Sequence, residues 1–390
     1  MVGATAEAVS ANFARMKFEI LHSDTHTKAR TGRLYTAHGI VDTPVFMPVG
    51  TRGSVKHVPF EWIESLDYAI ILANTYHLYL RPGHERIREA GGIHRFMGWH
   101  GAVLTDSGGF QIYSLGAETR ICDDGVYFRS VIDGSTHHFT PQSAIDVQMQ
   151  IGADIIMAFD ECIGYPAPIE YVREATERTH RWLDQCWEYF HQTPPYHPYP
   201  QILVPIVQGG MEPDLRRASA EYVIRYASPI YAIGGLSVGE SAALMYAMTD
   251  LCTDILPPTS ARYLMGVGTP ANILEAIARG IDMFDCVLPT RNARHGLLYT
   301  WQGMLQIKNR KWESDDRPID SESPVPSSRR YSRAYLRHLF KSGEPLGPML
   351  ASIHNLGFFS ELLRRAREHI ALGDFSEWKA QVLPQISKKI

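Results

Sequence analysis

Short apolar runs recur along the chain, and each one ends in a polar residue or a glycine. The runs and the residues that follow them are 68–72 before Asn74, 103–104 before Asp106, 155–159 before Asp160, 202–207 before Gln208, 231–233 before Gly234-Gly235, 263–265 before Gly266 and 283–284 before Asp285. Uniformly apolar strands of this length are typical of a parallel sheet that is covered on both faces.

Helical spacing of apolar residues follows most of these runs. The predicted helices span 141–151, 169–191, 213–225, 240–251 and 270–279, and several carry proline near the first turn, where its missing N–H costs nothing. The units are too many for a five-stranded sheet, so we predict an α/β fold of the (β/α)8 TIM-barrel type, with function at the carboxyl ends of the strands. Near the amino terminus, 18–21 and 33–37 predict a hairpin with its turn at or near Thr31-Gly32.

A change of pattern between about 291 and 347 predicts a second unit. This stretch is polar and contains prolines and serines, whereas helical spacing returns over 348–372 and 375–386. We therefore predict a catalytic barrel formed by 16–290 and 346–390, with an inserted basic subdomain at 291–345.

Composition narrows the class of protein. The 390 residues are 45% hydrophobic, with no run long enough to span a membrane and no amino-terminal basic and apolar leader, so we expect a soluble, cytoplasmic protein without membrane partners. Five scattered cysteines indicate neither a disulfide framework nor a paired-cysteine metal site. The formal net charge is −4, yet 291–341 holds eleven Lys or Arg against five acids. An ordinary solvated surface explains such a stretch when it is taken alone.

Three aspartates carry the candidate chemistry. Asp106, Asp160 and Asp285 each follow an apolar strand, and a barrel would bring all three into one mouth together with Asn74 and Gln208. A single aspartate in this position more often caps the next helix. The set of three, with the two amides, favours a site.

Two glycine-containing loops are ambiguous by themselves. Paired glycines follow Ser107 and precede Phe110, which suits close approach to a ligand but also suits a tight turn with a core phenylalanine. The loop 234–240 lacks the spacing of a dinucleotide or phosphate-binding motif. Met265, Tyr76, Cys162 and Cys286 are individually typical of core residues.

Taken together, these runs resemble one family. The runs are Asn74-Thr75-Tyr76-His77-Leu78, 105–111, 157–162, 234–240, 263–268 and 282–291, the last containing Met-Phe-Asp-Cys-Val-Leu-Pro-Thr-Arg. Their combination resembles the bacterial tRNA-guanine transglycosylases, the queuine tRNA-ribosyltransferase family, from about Lys28 through the last helices.

The resemblance implies a pentosyltransferase of queuosine biosynthesis. Such an enzyme exchanges guanine at the anticodon wobble position of tRNA for 7-aminomethyl-7-deazaguanine (preQ1) through a covalent aspartyl–ribose intermediate. Asp285 matches the nucleophile and Asp106 the general acid/base. The partners implied are a tRNA with guanosine at that position and a guanine or 7-deazaguanine base.

The same resemblance implies a set of base contacts. Asp160 would accept from N1–H and the exocyclic amine, while Gln208 and the Gly235 N–H would donate to O6. Phe110 and Met265 would sandwich the ring, and Ser107 and the Leu236 carbonyl would complete the pocket. Val238, where eukaryotic enzymes carry glycine, favours the smaller base. Arg291 and Arg294 resemble contacts to anticodon-loop phosphates.

The chain departs from the family pattern where its members bind zinc. The three cysteine positions hold Ser323, Val325 and Ser328, and only His354 of the ligand set is retained. Valine cannot ligate zinc and serine is a poor ligand, so we predict a degenerate site, no metal and no cofactor. The subdomain supports the family's homodimer and part of its tRNA surface. Thr269, where a lysine is common, removes one further phosphate contact.

Three alternative functions remain open at this stage. The first is a non-catalytic tRNA-binding paralogue, which retention of the three aspartates disfavours. The second is a transglycosylase acting on another nucleic acid or base, and the third, more remote, is a barrel glycoside hydrolase.

Overall fold

The structure, a computed structural model, describes residues 16–111 and 119–390. Its strands are β1 (Phe18–Ser23), β2 (Arg30–Thr36), β3 (Gly39–Thr43), β4 (Val45–Met47), β5 (Val49–Gly50), β6 (Ile70–Ala73), β7 (Ala102–Thr105), β8 (Arg120–Cys122), β9 (Gly125–Arg129), β10 (Thr136–Phe139), β11 (Ile155–Met157), β12 (Ile202–Val204), β13 (Ile206–Val207), β14 (Ile230–Ile233), β15 (Ala261–Leu264), β16 (Met283–Asp285), β17 (Leu297–Thr300) and β18 (Gly303–Gln306).

Helices follow most of the parallel strands. They are α1 (Phe60–Glu64), α2 (Thr75–Leu80), α3 (His84–Glu89), α4 (Ile93–Met97), α5 (Pro141–Ile151), α6 (Ile169–Gln192), α7 (Pro213–Val223), α8 (Ala242–Ile255), α9 (Pro270–Ala278), α10 (Leu288–Arg294), α11 (Pro326–Arg330), α12 (Arg333–Ser342), α13 (Leu346–Leu372) and α14 (Phe375–Ser387), with a 3-10 turn at Arg310–Trp312. Within the described residues, no helix is both long and apolar enough to cross a bilayer.

Two parallel five-stranded sheets form the centre of the fold. Their strand orders are β12-β11-β7-β6-β5 and β13-β14-β15-β16-β4. Each edge strand of one sheet is followed or preceded along the chain by an edge strand of the other, with a single proline between them. Pro48 lies between β4 and β5, and Pro205 lies between β12 and β13. Proline has no N–H and so interrupts the ladder, but its carbonyl still accepts, from Leu72 N and from Ala232 N at 3.0 Å each. The predicted α/β class with parallel strands is confirmed.

Alternate residues of each strand enter two different apolar clusters. Ile70 and Leu72 pack into a cluster made almost wholly of strand residues, whereas Ile71 and Ala73 pack with residues of the surrounding helices. This is the two-residue period of a strand that is buried on both faces, which explains why the runs read as uniformly apolar.

The amino-terminal hairpin is present, but its predicted turn is wrong. Thr31 and Gly32 lie inside β2, paired with His22 and Ile20 of β1. The chain reverses within 24–29, where the Asp24 carboxylate accepts from the Thr27 N–H at 2.8 Å. Gly32 serves packing instead, because a Cβ there would meet the Phe18 ring at 2.5 Å. The antiparallel sheet β1-β2-β3 that results packs against one end of the parallel strands through Leu34 and Val41.

The carboxyl-terminal part has a small core of its own. Leu298, Leu305 and Leu336 cluster with Leu350 and Ala351 from the first turns of α13. Farther along, Phe358, Phe359 and Leu362 of the same helix join the main core. The helix starts at 346, two residues earlier than predicted, because Pro345 precedes it and proline is tolerated at a helix start.

Candidate active site

The predicted polar residues lie at one edge of the parallel sheets. Asp106 follows β7, Asp160 lies beyond β11, Gln208 follows β13, Gly235 follows β14, and Asp285 ends β16. Parallel strands present their carboxyl ends at one edge, and direct contacts described below join several of these residues.

Asp285 is held by one of its two carboxylate oxygens. The Tyr263 hydroxyl donates to Oδ1 at 2.6 Å, and the Gly266 N–H donates to the same oxygen at 2.8 Å. In the part of the chain that the structure describes, no hydrogen bond engages Oδ2. Burial raises the pKa of Asp285, and the two donors oppose that rise. One oxygen is therefore fixed while the other is available to react.

Asp106 is almost fully buried and has a strongly perturbed pKa. Its carboxylate accepts from the Asn74 side-chain amide and from the Thr75 N–H, the latter at 2.8 Å. Burial raises the pKa of Asp106 to about 6, the two donors oppose the rise, and the negative charge of Asp285 adds to it. A carboxyl group that titrates near neutrality can both give and take a proton at working pH.

Asp160 is held from both sides. Ser107 Oγ donates to Oδ1 at 2.8 Å, and Gln208 Nε2 donates to Oδ2 at 2.7 Å. Burial raises the pKa of Asp160, and these donors oppose the rise. Gln208 Oε1 is buried without a partner among the described residues, so the amide is oriented by the carboxylate alone.

Gly234 and Gly235 lie directly against Gln208. A Cβ at Gly234 would meet Gln208 Nε2 at 2.7 Å, and one at Gly235 would meet Oε1 at 2.3 Å. Gly235 also has φ +63°, which a residue with a side chain rarely adopts. The loop is closed by Glu240, whose carboxylate accepts from the Ser237 and Val238 N–H groups. These glycines let the backbone approach the ligand side of Gln208.

The residues predicted to sandwich the base differ in burial. Phe110 is 51% exposed, and Met265 is half-buried beside the strand cluster. Leu236 and Ser107 are buried. The exposed aromatic ring of Phe110 leaves a face for a flat ligand.

Sequence reasoning missed Tyr263 as a site residue. It is 1% exposed and looks like strand filler, but its hydroxyl reaches Asp285. The only signal is that a tyrosine stands in a strand that ends at the site, because a buried phenol needs a partner.

Arg291 and Arg294 lie on α10, immediately after the strand that carries Asp285. Arg291 is exposed, while Arg294 is half-buried with Nη1 lacking a partner among the described residues. Burial lowers the pKa of Arg294, and the positive charge of Arg291 lowers it further. Two neighbouring cations without an acidic partner in the described chain suit an anion.

The residues at the zinc-ligand positions do not fit a metal. His354 Nδ1 hydrogen-bonds Ser328 Oγ at 2.9 Å, and its Nε2 donates to the Tyr299 carbonyl at 2.8 Å. Both ring nitrogens are therefore occupied, and burial lowers the pKa of this histidine. Val325 is 3% exposed and packs so closely on Gly357 that a Cβ there would meet it at 2.3 Å. A hydrogen bond and an apolar side chain stand where zinc would be coordinated.

Another cluster of metal-ligand type also has its ligand atoms occupied. His38 and His94 donate to opposite oxygens of Asp154, at 2.8 and 2.9 Å. The same two oxygens accept the backbone N–H groups of His38 and Val103. The two rings are stacked with their centroids 3.5 Å apart, and the nitrogen of each ring that faces Asp154 is engaged by that carboxylate. This cluster joins the hairpin to the sheet.

One cavity of the described chain lies away from the three aspartates. It measures about 410 Å³ and is lined by residues that include Tyr79, His84, Asp133 and His137. None of the three aspartates lines it.

Comparison with known proteins gives the family. The model of the queuine tRNA-ribosyltransferase family matches residues 24–388. This chain belongs to that family. It is 49% identical to the queuine tRNA-ribosyltransferase of Caldanaerobacter subterraneus over 370 residues, covering 95% of this chain and 97% of the relative. The corresponding protein of Pelotomaculum thermopropionicum is 50% identical over 368 residues, covering 94% and 98%.

A third relative, the queuine tRNA-ribosyltransferase of Herpetosiphon aurantiacus, is 51% identical over 353 residues, and the alignment covers 90% of this chain and 88% of the relative. The match to the family model, over residues 24–388, includes Asp106, Asp160 and Asp285 and the carboxyl-terminal part with Ser323, Val325 and Ser328. The family predicted from the motifs is therefore confirmed.

Proposed function

We propose that this chain is a tRNA-guanine transglycosylase, a pentosyltransferase of queuosine biosynthesis. It exchanges the guanine at the anticodon wobble position of a tRNA for a 7-deazaguanine base. The observation that carries the proposal is the Asp285 carboxylate, anchored through Oδ1 by Tyr263 and Gly266 with Oδ2 free, next to a second carboxyl that titrates near neutrality. Family membership supports the substrate class.

Asp285 is the nucleophile of the proposed reaction. Its Oδ2 attacks C1′ of the wobble ribose, the bond from C1′ to N9 of guanine breaks, and the electron pair of that bond leaves with the base. Protonated Asp106 then supplies a proton to N9. An incoming base loses its N9 proton to ionised Asp106 and displaces the carboxylate, so that two inversions retain the configuration.

Asp160 and Gln208 select the base. The Asp160 carboxylate accepts from N1–H and the exocyclic amine, while the second N–H of Gln208 and the Gly235 N–H donate to O6. Ser107 fixes Asp160, and Phe110 and Met265 cover the two faces of the ring. Leu236 offers its carbonyl to an aminomethyl group, and Val238 favours preQ1 over a bulkier base.

The ten parallel strand segments form the eight strands of a closed (β/α)8 barrel in this proposal, with β4 and β5 counted as one strand and β12 and β13 as another. Support comes from Pro48 and Pro205, which interrupt two strands that would otherwise continue from one five-stranded sheet into the other. The barrel comprises 16–290 and 346–390, with 291–345 as an inserted basic subdomain. The small apolar core of the subdomain, around Leu305, supports this division.

The inserted subdomain works without zinc in this proposal. The hydrogen bonds of His354 and the packing of Val325 support a metal-free closure.

Arg291 and Arg294 contact the phosphates of the anticodon loop, and a homodimer is the assembly we expect. A decayed, non-catalytic paralogue is disfavoured because every carboxylate of the site keeps its hydrogen-bond donors.

Incorporation of radiolabelled guanine into a wobble-guanosine tRNA transcript tests the proposal. Wild-type protein should transfer label, and a transcript with adenosine at the wobble position should stay unlabelled. Folded protein that fails to label the first transcript would contradict the function. Metal analysis of the same preparation should show far less than one zinc per chain.

A further inference from the structure

A buried arginine lies behind the loop that holds the base. Arg216, in the first turns of α7, is fully buried. Its guanidinium donates to backbone carbonyls, among them Gly234 O at 2.7 Å, Val207 O at 3.3 Å and Gly210 O at 3.2 Å from Nε. No carboxylate of the described chain lies within ion-pair distance of it. Burial lowers the pKa of Arg216, yet a guanidinium stays charged in proteins.

The tight fold of the chain between Gln208 and Arg216 places the guanidinium behind the Gly234-Gly235 loop. Gly209 has φ +123°, and a Cβ there would meet the Arg216 backbone nitrogen at 2.6 Å. The chain after Gln208 therefore folds tightly onto the start of α7, which lets the guanidinium pass beneath the loop. Burying a cation without an acid is costly, so a residue of this kind calls for an explanation.

One hydrogen bond connects Arg216 to the base. Gly234 C=O and Gly235 N–H belong to the same peptide unit, and the electrons of a peptide are shared between its oxygen and its nitrogen. A cation that donates to the oxygen withdraws density from the nitrogen, so the N–H on the other side becomes a stronger donor. The Gly235 N–H is the group that faces O6 in the proposed function.

We propose that Arg216 is a positioning residue for departure of the base. As the bond from C1′ to N9 breaks, negative charge spreads over the guanine ring and reaches O6. A stronger Gly235 donor and a nearby buried positive charge stabilise that anion more than they stabilise the neutral, bound base. Interactions that strengthen only as the transition state forms raise the rate without tightening substrate binding.

This inference rests on the proposed function and makes a separable prediction. Arg216→Met keeps the bulk of the side chain and removes the charge, while Arg216→Lys keeps a charge. In single-turnover experiments, Arg216→Met should release guanine from the transcript about 10-fold to 100-fold more slowly. KM for tRNA and the dissociation constant of free guanine should change less than about 3-fold, because ground-state contacts remain. Arg216→Lys should recover a substantial part of the rate.

Arg262 provides a matched control. It is also a buried arginine that donates to carbonyls, of Gly280 and Leu256, but it lies near the amino end of β15, away from the site. Arg262→Met should lower the thermal midpoint yet leave the release rate of the folded protein unchanged. The comparison separates loss of stability from loss of charge behind the base.

Two results would overturn the inference. One is a release rate for folded Arg216→Met within 2-fold of wild type, and the other is an Arg216→Lys variant no faster than Arg216→Met. If Arg216→Met does not fold, Arg216→Lys against Arg216→Gln at equal thermal midpoints provides the same comparison. Absence of guanine exchange in the wild-type protein would overturn the proposed function itself and this inference with it.

Discussion

At the scale of single residues, the carboxyl groups of the site differ in the hydrogen-bond donors that they accept from. Asp285 has two donors on one oxygen, whereas Asp106 keeps a pKa of about 6 although two donors oppose the effect of burial. Each donor favours the ionised carboxylate, so removal of a donor should raise the pKa of the carboxyl group that it serves.

Tyr263→Phe should slow adduct formation by about 10-fold, since it removes a hydrogen bond to a charged group. The Tyr263 hydroxyl lowers the pKa of Asp285, so its loss raises that pKa further and the deficit should be larger at pH 6 than at pH 8. Single-turnover pH profiles measure this. Tyr231→Phe, whose hydroxyl bonds the Tyr226 carbonyl instead, is the control. Equal deficits at both pH values would contradict the assignment.

Asp106→Asn should change stability in a pH-dependent way. A folded-state pKa raised from 3.8 to about 6 means that ionisation destabilises the fold, by up to about 3 kcal/mol once the pH exceeds 6. This cost is absent below the unfolded-state pKa, grows as the pH rises from that value towards the folded-state pKa, and is complete above it. The stability of the variant relative to wild type should therefore be higher at pH 7.5 than at pH 4, as denaturant titrations would show. A difference that does not vary with pH would contradict the raised pKa.

At the scale of elements, the pattern of apolar residues predicted the strands and helices better than the residues of the loops predicted the turns. The strands and the long helices follow from runs such as 155–159 and from proline at helix starts. The turn at Thr31-Gly32 was wrong because the glycine there makes room for the Phe18 ring, a contact between strands that local sequence does not show. Tyr263 and Arg216 were missed for the same reason, since their partners are distant in sequence. Asp106 and Asp285 were placed by their position after apolar strands, and only their separate roles came from the family resemblance.

The loop that replaces the zinc site should depend on hydrogen bonds instead of metal. Ser328→Ala should lower the free energy of unfolding by about 1–3 kcal/mol, because it leaves a fully buried histidine nitrogen without a partner. Ser327→Ala, one residue away, is the control. A chelator should leave the thermal midpoint of wild type unchanged. A midpoint that falls on chelation would show that a metal stabilises this loop.

At the scale of the whole molecule, charge is distributed unevenly. The net charge is −4, yet the stretch 291–341 has an excess of positive charge. Several of its cations are neutralised locally, for example Arg317 by Asp315 at 2.7 Å. Arg291 and Arg294 have no acidic partner among the described residues. Arg291 and Arg294 therefore place unpaired positive charge next to the nucleophile, and Lys308, Arg329 and Arg330, which also lack an acidic partner in the described chain, extend it along the stretch.

Arg291→Gln and Arg294→Gln should each weaken tRNA binding and reduce the slope of log K against log salt by about 1. The exchange rate at saturating tRNA should change little. Arg317→Gln is the matched control, because its charge is already paired, and it should leave the slope unchanged. Filter binding across a salt series measures all three variants. An equal effect from Arg317→Gln would show that the whole subdomain contributes by general attraction.

Trapping the covalent intermediate tests the central claim most directly. Wild-type protein incubated with a wobble-guanosine transcript and no incoming base should give a protein–RNA band that survives denaturing electrophoresis, with peptide mass spectrometry locating the ribose on Asp285. Asp285→Asn should bind the transcript and give no such band. A band that persists in Asp285→Asn, or a modification located on another residue, would contradict the account.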